Sequence, residues 1–244
     1  MITLTLWQMR WRLLIVAVIA VFFYIEEPGF HLSATLPNDL STEVSDPRGL
    51  AFTLANLAGL SMLVLLFDFV AGDRRRGYYR MYFSHPTRPL AFYAVRWGVG
   101  YALSLLVAAL FLVGGQLLAW GELRAGAGAM VQPALFALIY GGLTAFFSVL
   151  VPLGDSLLAL LVFWLTEMWQ QVLAIFAELG SQPPLSPVLR QAISFVLPPH
   201  LALRDVFEAA QAGTSPWGAI AFAAGYGLFW LALAALLLWS REWP

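Results

Sequence analysis

The sequence predicts an all-α membrane protein, a bundle of six transmembrane helices, and three observations indicate this. Of the 244 residues, 61% are hydrophobic and only 11% are charged, and the mean hydropathy is +0.78. A soluble core could not bury so much apolar surface, so much of it must face lipid. The apolar residues also form six stretches, most of them close to the ~20 residues that a helix needs to cross the hydrocarbon core. We therefore expect a single transmembrane domain over residues 1–244.

The six predicted spans alternate with more polar loops. Their predicted bounds are 11–25, 50–70, 97–120, 131–151, 156–177 and 216–239. The first span is short, and the preceding MITLTLWQMR is expected to lie along the interface as an amphipathic lead-in. A signal peptide is the alternative for this terminus, but FFYIEEPGF lacks the small-residue cleavage pattern. Tryptophans at span ends are typical of aromatic belts at headgroup depth: these are Trp97, Trp120, Trp217 and Trp239.

The distribution of arginine predicts the orientation, because cytoplasmic flanks hold an excess of Lys and Arg. Arg10 and Arg12 precede the first span, whereas residues 26–49 hold five acids and one arginine. The loop after the second span is again rich in arginine, and only the neutral-to-acidic PLGD turn departs from the alternation. The pattern predicts that both termini are cytoplasmic.

The loop between the fifth and sixth predicted spans is too apolar for a free linker. VLRQAISFVLPPHLALRDVFEAA has the pattern of two short amphipathic helices broken by Pro198 and Pro199. We expect this segment to lie on the outer leaflet or to dip back into it. Backbone that enters the membrane without spanning it must be covered by protein or line a wet cavity.

Composition excludes several kinds of chemistry. The chain has no cysteine, and all 13 of its basic residues are arginine. The phosphate-binding motif G-x-x-x-x-G-K-[ST] requires a lysine, so ATP hydrolysis by that route would need another polypeptide. The three histidines (His31, His85 and His200) all fall outside the predicted spans, the acids are scattered, and no H-E-x-x-H occurs. We expect neither an enzyme nor a metal site.

The loop after the second span gathers positive charge and aromatic residues in DRRRGYYRMYFSHPTRP. If residues 73–84 form a helix, its tyrosines and Phe83 share one arc through i, i+4 spacing, with Arg76 and Arg80 beside it. Such a helix suits a groove on a partner protein. It would equally suit a positive-inside anchor on anionic headgroups.

At this loop the sequence resembles the permease subunits of ABC-2-type transporters. That family has an acidic residue, a spaced glycine and a Ser-x-Pro-x-x-Arg pattern after its second span, matched here by Asp73, Gly77, Ser84, Pro86 and Arg88. Asp73 replaces the more usual Glu, and Thr87 replaces an aliphatic residue. The resemblance implies that the loop is a cytoplasmic coupling helix on a separate ATPase subunit. The implied coupling residues are Asp73, Arg74, Arg75, Arg76, Gly77, Tyr78, Tyr79, Arg80, Tyr82, Phe83, Ser84, Pro86 and Arg88.

The same resemblance implies the assembly and its location. Two permease chains, identical or different, would pair with two nucleotide-binding chains in a membrane that is the bacterial inner membrane by analogy. ATP and Mg would bind the partner subunit, no cofactor would bind this chain, and its other contacts would be lipids, not nucleic acid. Export is the implied direction. The alternative is a structural or assembly subunit of a larger membrane complex, which would show the same spans.

Polar residues inside the predicted spans are the remaining candidates. Glu167 lies near the middle of the fifth span, where a charge costs on the order of 3 kcal/mol or more, so it should face protein or water. Gln170 and Gln171 follow at i+3 and i+4 and extend a polar stripe along the same inward face. We expect this stripe to line a translocation path or the seam between two permease chains, or else to make a packing hydrogen bond only. Asp68 is expected to pair with the nearby arginines. Asn56 and Gln116 are expected to bond neighbouring helices.

Overall fold

The computed structural model describes residues 2–26, 47–78, 88–123, 127–180, 185–200 and 216–241, with single positions at 202, 203, 206, 209 and 214. All regular elements in these ranges are helical. Their bounds are α1 Ile2–Glu26, α2 Pro47–Leu65, α3 Ala71–Arg75, α4 Pro89–Trp120, α5 Val131–Leu150, α6 Asp155–Glu178, α7 Pro187–Val196 and α8 Trp217–Arg241, with a short 3-10 helix at Ala127–Met130.

Five of these helices are long and apolar enough to cross a membrane: α1, α4, α5, α6 and α8. The chain is therefore a multi-pass helical membrane protein. Helix α2 matches the predicted second span in place, but its described apolar part, Thr53–Leu65, is shorter than a membrane crossing requires. The sixth crossing stays a prediction.

Helix α5 lies at the centre of the bundle. It packs against α2, α4, α6 and α8. Of its apolar stretch, 72% is buried inside the bundle, compared with 11% of the corresponding stretch in α1 and in α6. Because α6 contacts mainly α5, most of its surface faces outward from the chain. Helix α5 thus forms the core and α6 the periphery, although both helices are similarly apolar.

Helices α1 and α4 both begin before the predicted spans do, because a helix can continue past the edge of the hydrocarbon core. The first ten residues form no separate lead-in, since α1 is one continuous helix from Ile2 to Glu26. Helix α4 begins at Pro89, eight residues before the predicted start, and includes Arg96. Proline is favoured in the first turn of a helix, where its missing N–H costs nothing, and it sets this start.

The second predicted span continues five residues beyond the end of the helix. Helix α2 stops at Leu65, and the chain then turns through Leu66–Val70 before the short helix α3 begins. Asp68 has a φ of 52° within this turn, a left-handed conformation that Asp tolerates better than most residues. We call residues 66–70 the α2 turn.

Candidate functional site

A layer of charged residues surrounds the α2 turn. It contains Arg12 of α1, Asp68 of the turn, Asp73 and Arg75 of α3, Arg96 of α4 and Asp155 of α6. We call this set the charged layer. Arg12 and Arg96 lie within their helices, so that α1 and α4 continue beyond the layer, whereas α2 and α5 end at it and α6 begins there. From this layer to the start of α5 is about 20 residues, or about 30 Å of helix, which matches the hydrocarbon thickness.

The backbone of the α2 turn is held by two other helices. The Asp155 carboxylate accepts hydrogen bonds from the N–H groups of Asp68 and Phe69, each at 3.2 Å. The Ser148 hydroxyl accepts from the N–H groups of Val70, at 2.7 Å, and Ala71, at 3.1 Å. Helices α5 and α6 therefore satisfy the N–H donors of the α2 turn and of the first residue of α3, which have no partner within a helix.

Asp73 and Arg96 form a buried ion pair between α3 and α4. The Arg96 guanidinium donates to the Asp73 carboxylate at 2.7 Å and to the Phe69 carbonyl at 3.0 Å. The Tyr93 hydroxyl donates to the same carboxylate at 3.3 Å. Burial raises the pKa of the Asp73 carboxyl, and the charge of Arg96 and the bond from Tyr93 oppose that rise. The ionised carboxylate thus depends on Arg96.

Two further arginines bond the carbonyl ends of helices. Arg12 donates to the Leu65 carbonyl at the end of α2, at 2.8 Å, and Arg74 donates to the Val149 carbonyl near the end of α5, at 3.2 Å. Cations are favoured at helix C-termini, where carbonyls have no partner within the helix. Asp68 pairs with Arg75 at 2.5 Å, so its expected pairing with the arginine cluster is confirmed.

The predicted coupling residues divide into three groups. Asp73, Arg74 and Arg75 lie at the charged layer, where Asp73 is buried, Arg74 is half-buried and Arg75 is exposed. Arg76, Gly77 and Tyr78 are exposed beyond the layer, and Arg88 is exposed where it precedes α4. Tyr79, Arg80, Tyr82, Phe83, Ser84 and Pro86 lie outside the described residues.

The predicted helix over residues 73–84 is wrong at its start. Helix α3 ends at Arg75, and the Gly77 N–H bonds the Arg74 carbonyl. Gly77 has a φ of 72°, a left-handed conformation that closes a helix and that glycine adopts without strain. Arg76 and Tyr78 therefore do not belong to one continuous helix with Asp73.

A second cluster lies in the interior of the bundle, at Glu167. The His200 ring stands between two partners: its Nδ1 is 2.7 Å from Glu167 Oε1, and its Nε2 is 2.7 Å from the Tyr140 hydroxyl. We call Tyr140, His200 and Glu167 the buried triad. Glu167 contacts protein through His200, as expected, and its side chain is 25% exposed. His200 lies in a loop, as predicted, but this loop enters the bundle.

The loop before α8 carries His200 into the bundle. Ser186 caps α7 by accepting a hydrogen bond from the Leu189 N–H at 3.2 Å. Helix α7 ends at Val196, before Pro198 and Pro199. Pro198, Pro199 and His200 are all buried. The imidazole packs against the rings of Phe136 and Phe163, with centroids at 4.7 and 5.8 Å.

Helix α8 fixes the same loop from another side. The Tyr226 hydroxyl donates to the Val196 carbonyl at 2.6 Å, and Leu203 and Val206 are buried in the core that α2, α5, α6 and α8 share. The first of the two predicted amphipathic helices is confirmed as α7. The second falls largely outside the described residues. The backbone that enters the bundle is covered by protein, as a non-spanning segment in a membrane must be.

The triad lies about half way through the bundle. Tyr140 and Tyr226 are each nine residues from the starts of α5 and α8, and Glu167 is eleven residues from the end of α6. These three helix ends lie opposite the charged layer. At 1.5 Å per residue the triad is roughly 15 Å from them, which is the mid-depth of a ~30 Å hydrocarbon core.

The hydrogen bonds of the triad favour the state without an additional proton, whereas its net charge favours the state with one. If Glu167 is ionised and His200 neutral, His200 Nδ1–H donates to the carboxylate and Tyr140 O–H donates to Nε2, so each donor has an acceptor, but the net charge is −1. One more proton makes the triad neutral, but three protons then share two contacts, so one donor, on Tyr140 or on Glu167, has no acceptor within the triad. A charge at this depth costs about 3 kcal/mol or more, and an unmade buried hydrogen bond costs about 1–3 kcal/mol.

The polar stripe on α6 does not continue inward as predicted. Gln170 is half-buried, and Gln171 is exposed on the outer surface of the chain. The Glu167 side chain itself is 25% exposed. The reason is that α6 is peripheral, so that its i+4 position already lies past the edge of its contact with α5.

The other single polar residues in the helices have local explanations. Gln116 donates to the Leu112 carbonyl of its own helix at 3.1 Å, so this hydrogen bond does not join two helices. Asn56 is buried in α2, and its carbonyl oxygen lacks a hydrogen-bond partner. Its expected bond to a neighbouring helix is thus not made through that oxygen.

Sequence reasoning missed the partners in both clusters. The position of Asp155 just before an apolar run, after Gly154, is a helix-start signal that could have marked it. The predicted third span begins at residue 97 and so leaves Arg96 outside the helix that carries it. Nothing local marks His200 or Tyr140, which are 60 residues apart and meet only through the fold.

Comparison of the chain with protein-family models, with curated proteins and with solved structures finds no match. The assignment of function therefore depends on the geometry described above and on the resemblance in the loop after α2.

Proposed function

We propose that the chain is the transmembrane permease subunit of an ABC transporter, which moves a substrate by means of ATP hydrolysis on a separate subunit. The observation that carries this proposal is the position of α3. This short helix follows α2, is fixed in the charged layer through Asp73, and leads to the exposed residues Arg75, Arg76 and Tyr78. A basic and aromatic surface at the end of a membrane bundle suits contact with another protein.

The bonds of α3 supply a route by which force on that surface would reach the bundle. Asp73 ties α3 to α4 through Arg96, and Arg74 ties it to the end of α5. The preceding turn is held by Asp155 of α6. A partner that displaces α3 would therefore act on α4, α5 and α6 together. This is the function that a coupling element needs.

The exposed part of α6 supports a second permease chain as a further partner. Gln171 is exposed and Glu167 is partly exposed, although polar groups are costly against hydrocarbon. A second chain, or a water-filled path between two chains, would cover them. The direction of export, the bacterial inner membrane and ATP with Mg on the partner belong to the same proposal.

Purification of the full-length chain from its native membrane tests the proposal. We expect a nucleotide-binding chain to co-purify and the complex to hydrolyse ATP. The double variant Arg76→Glu/Arg88→Glu should lower the co-purified ATPase activity at least about tenfold, because it reverses charge at two exposed coupling positions. The matched control is Arg10→Glu, an exposed arginine on α1 that also lies beyond the charged layer.

The alternative, a structural or assembly subunit, predicts a different result. Membrane proteins would co-purify, but none would hydrolyse ATP, and the double variant would leave the assembly intact. Equal loss of ATPase activity in Arg10→Glu and in the double variant would also contradict docking through α3, because the effect would then follow net charge and not the surface.

A further inference from the structure

We infer that Tyr140, His200 and Glu167 form a proton-binding site near the middle of the membrane, which alternates between a net charge of −1 and neutrality by taking up one proton. The site does not depend on the proposed ATPase partner. It requires only the fold of this chain.

The geometry provides two strong hydrogen bonds through one imidazole. Both contacts of His200 are 2.7 Å long and use different ring nitrogens. A ring with a carboxylate at one nitrogen and a hydroxyl at the other can accept a proton and keep both contacts, because each nitrogen can act as donor or acceptor. A purely apolar packing role would not need this arrangement.

The energetic balance makes both proton numbers accessible. The empty state satisfies every donor but places a charge at mid-depth, and the loaded state removes the charge but leaves one donor, on Tyr140 or on Glu167, without an acceptor in the triad. Because the two costs oppose each other, the geometry allows both proton numbers.

Among the described residues, few other titratable groups lie beside the triad. Tyr140 on α5 is fully buried, and Glu167 on α6, 25% exposed in its side chain, is the member of the triad that reaches the surface of the chain. Helix α8 presents Tyr226, which is engaged with the Val196 carbonyl. The described side chains of α2 include no titratable group, and Arg190 lies in the first turn of α7. Arg204, Asp205 and Glu208 follow in the sequence, outside the described residues.

The test uses the full chain in lipid nanodiscs, with histidine labelled by ¹⁵N. Because the chain has only three histidines, the spectrum of His200→Gln identifies the signal of His200. We expect the ring signals of His200 to change with pH over the range in which the chain stays folded. Infrared difference spectra over the same range should show gain of a proton on the triad, and this band should be lost in Glu167→Gln and in His200→Gln.

Tyr226→Phe is the matched control. It removes a hydroxyl that holds the same loop but leaves the triad intact, so the titration should persist in it. Glu167→Gln is close in shape to the native residue, and its melting temperature establishes that the variant folds. The inference is overturned if the His200 ring keeps one protonation state over the whole range and the infrared difference is unchanged in Glu167→Gln. It is also overturned if Tyr226→Phe removes the titration as fully as the triad variants do.

Discussion

Asp73 and Asp68 each pair with an arginine at the same end of the bundle, but water reaches the two pairs differently. Both carboxylates are buried, since Asp73 is 10% and Asp68 is 7% exposed, but the Arg96 side chain is 5% exposed and that of Arg75 is 41% exposed. Removing Arg96 leaves the Asp73 charge without a partner in the interior, whereas water can replace part of the exposed Arg75 guanidinium. The two pairs therefore allow a comparison within one charged layer.

We expect Arg96→Gln to destabilise the protein by about 3–5 kcal/mol and Arg75→Ala by less, because water reaches the position of the exposed arginine. Thermal unfolding in detergent, followed by circular dichroism, would measure both. Equal losses for the two variants would contradict the assignment of the Asp73–Arg96 pair as the buried one.

The loss in Arg96→Gln should also depend on pH. Without Arg96 the pKa of Asp73, already raised by burial, rises further. The folded state then holds this proton more tightly than the unfolded state does, so its stability falls as pH rises above the ordinary Asp value. The destabilisation should be greater at pH 7 than near pH 5.

At the scale of elements, α5 and α8 approach so closely that their backbones touch. A Cβ on Gly142 would lie 2.5 Å from the Gly227 carbonyl oxygen, and one on Gly227 would lie 3.0 Å from the Ile139 nitrogen. Small residues at such crossings let helices pack without a hydrophobic driving force. Gly225, two residues before Gly227 in the same helix, is not part of this contact, since a Cβ there meets nothing within 4 Å.

Gly227→Ala should destabilise the bundle by about 1–3 kcal/mol, because the methyl group would push backbone against backbone. Gly225→Ala, two residues away in the same helix, is the control. It should be neutral or stabilising by up to about 1 kcal/mol, because alanine favours helix and the site is open. Melting temperatures of the two variants in the same detergent would decide. The same loss in both would show that α8 and α5 are not in backbone contact.

At the scale of the whole molecule, the two ends of the bundle differ in chemistry. The charged layer and the exposed arginines of α3 lie at one end, and the loops that begin α5 and end α6 lie at the other. The excess of arginine predicts that the first end is cytoplasmic. The N-in, C-in topology remains a prediction.

Single cysteines test that topology cleanly, because the chain has none of its own. Tyr78→Cys should react with a membrane-impermeant maleimide only after the membrane is opened, and Leu123→Cys should react in intact cells. Both native residues are exposed. The reverse labelling pattern would place α3 on the far side and would remove the basis for docking to a cytoplasmic ATPase.

The sequence alone determined the membrane class and the places of the long helices. Hydrophobic runs near 20 residues predict crossings because lipid forces every backbone group into a helix. The predicted bounds 131–151, 156–177 and 216–239 accordingly differ from α5, α6 and α8 by no more than two residues. The charge of the loop after α2 and the need of Glu167 for a protein partner could also be predicted, since both follow from the cost of charge in hydrocarbon.

Tertiary structure decided which residues meet. That α5 is central and α6 peripheral could not be predicted, because lipid and a neighbouring helix accept the same apolar side chains. Arg96 reaches Asp73 only because α4 continues past the charged layer, and His200 reaches Glu167 only because a proline-broken loop enters the bundle. Contacts between distant residues are set by packing of the whole fold and not by local pattern, so the triad becomes visible only in the folded chain.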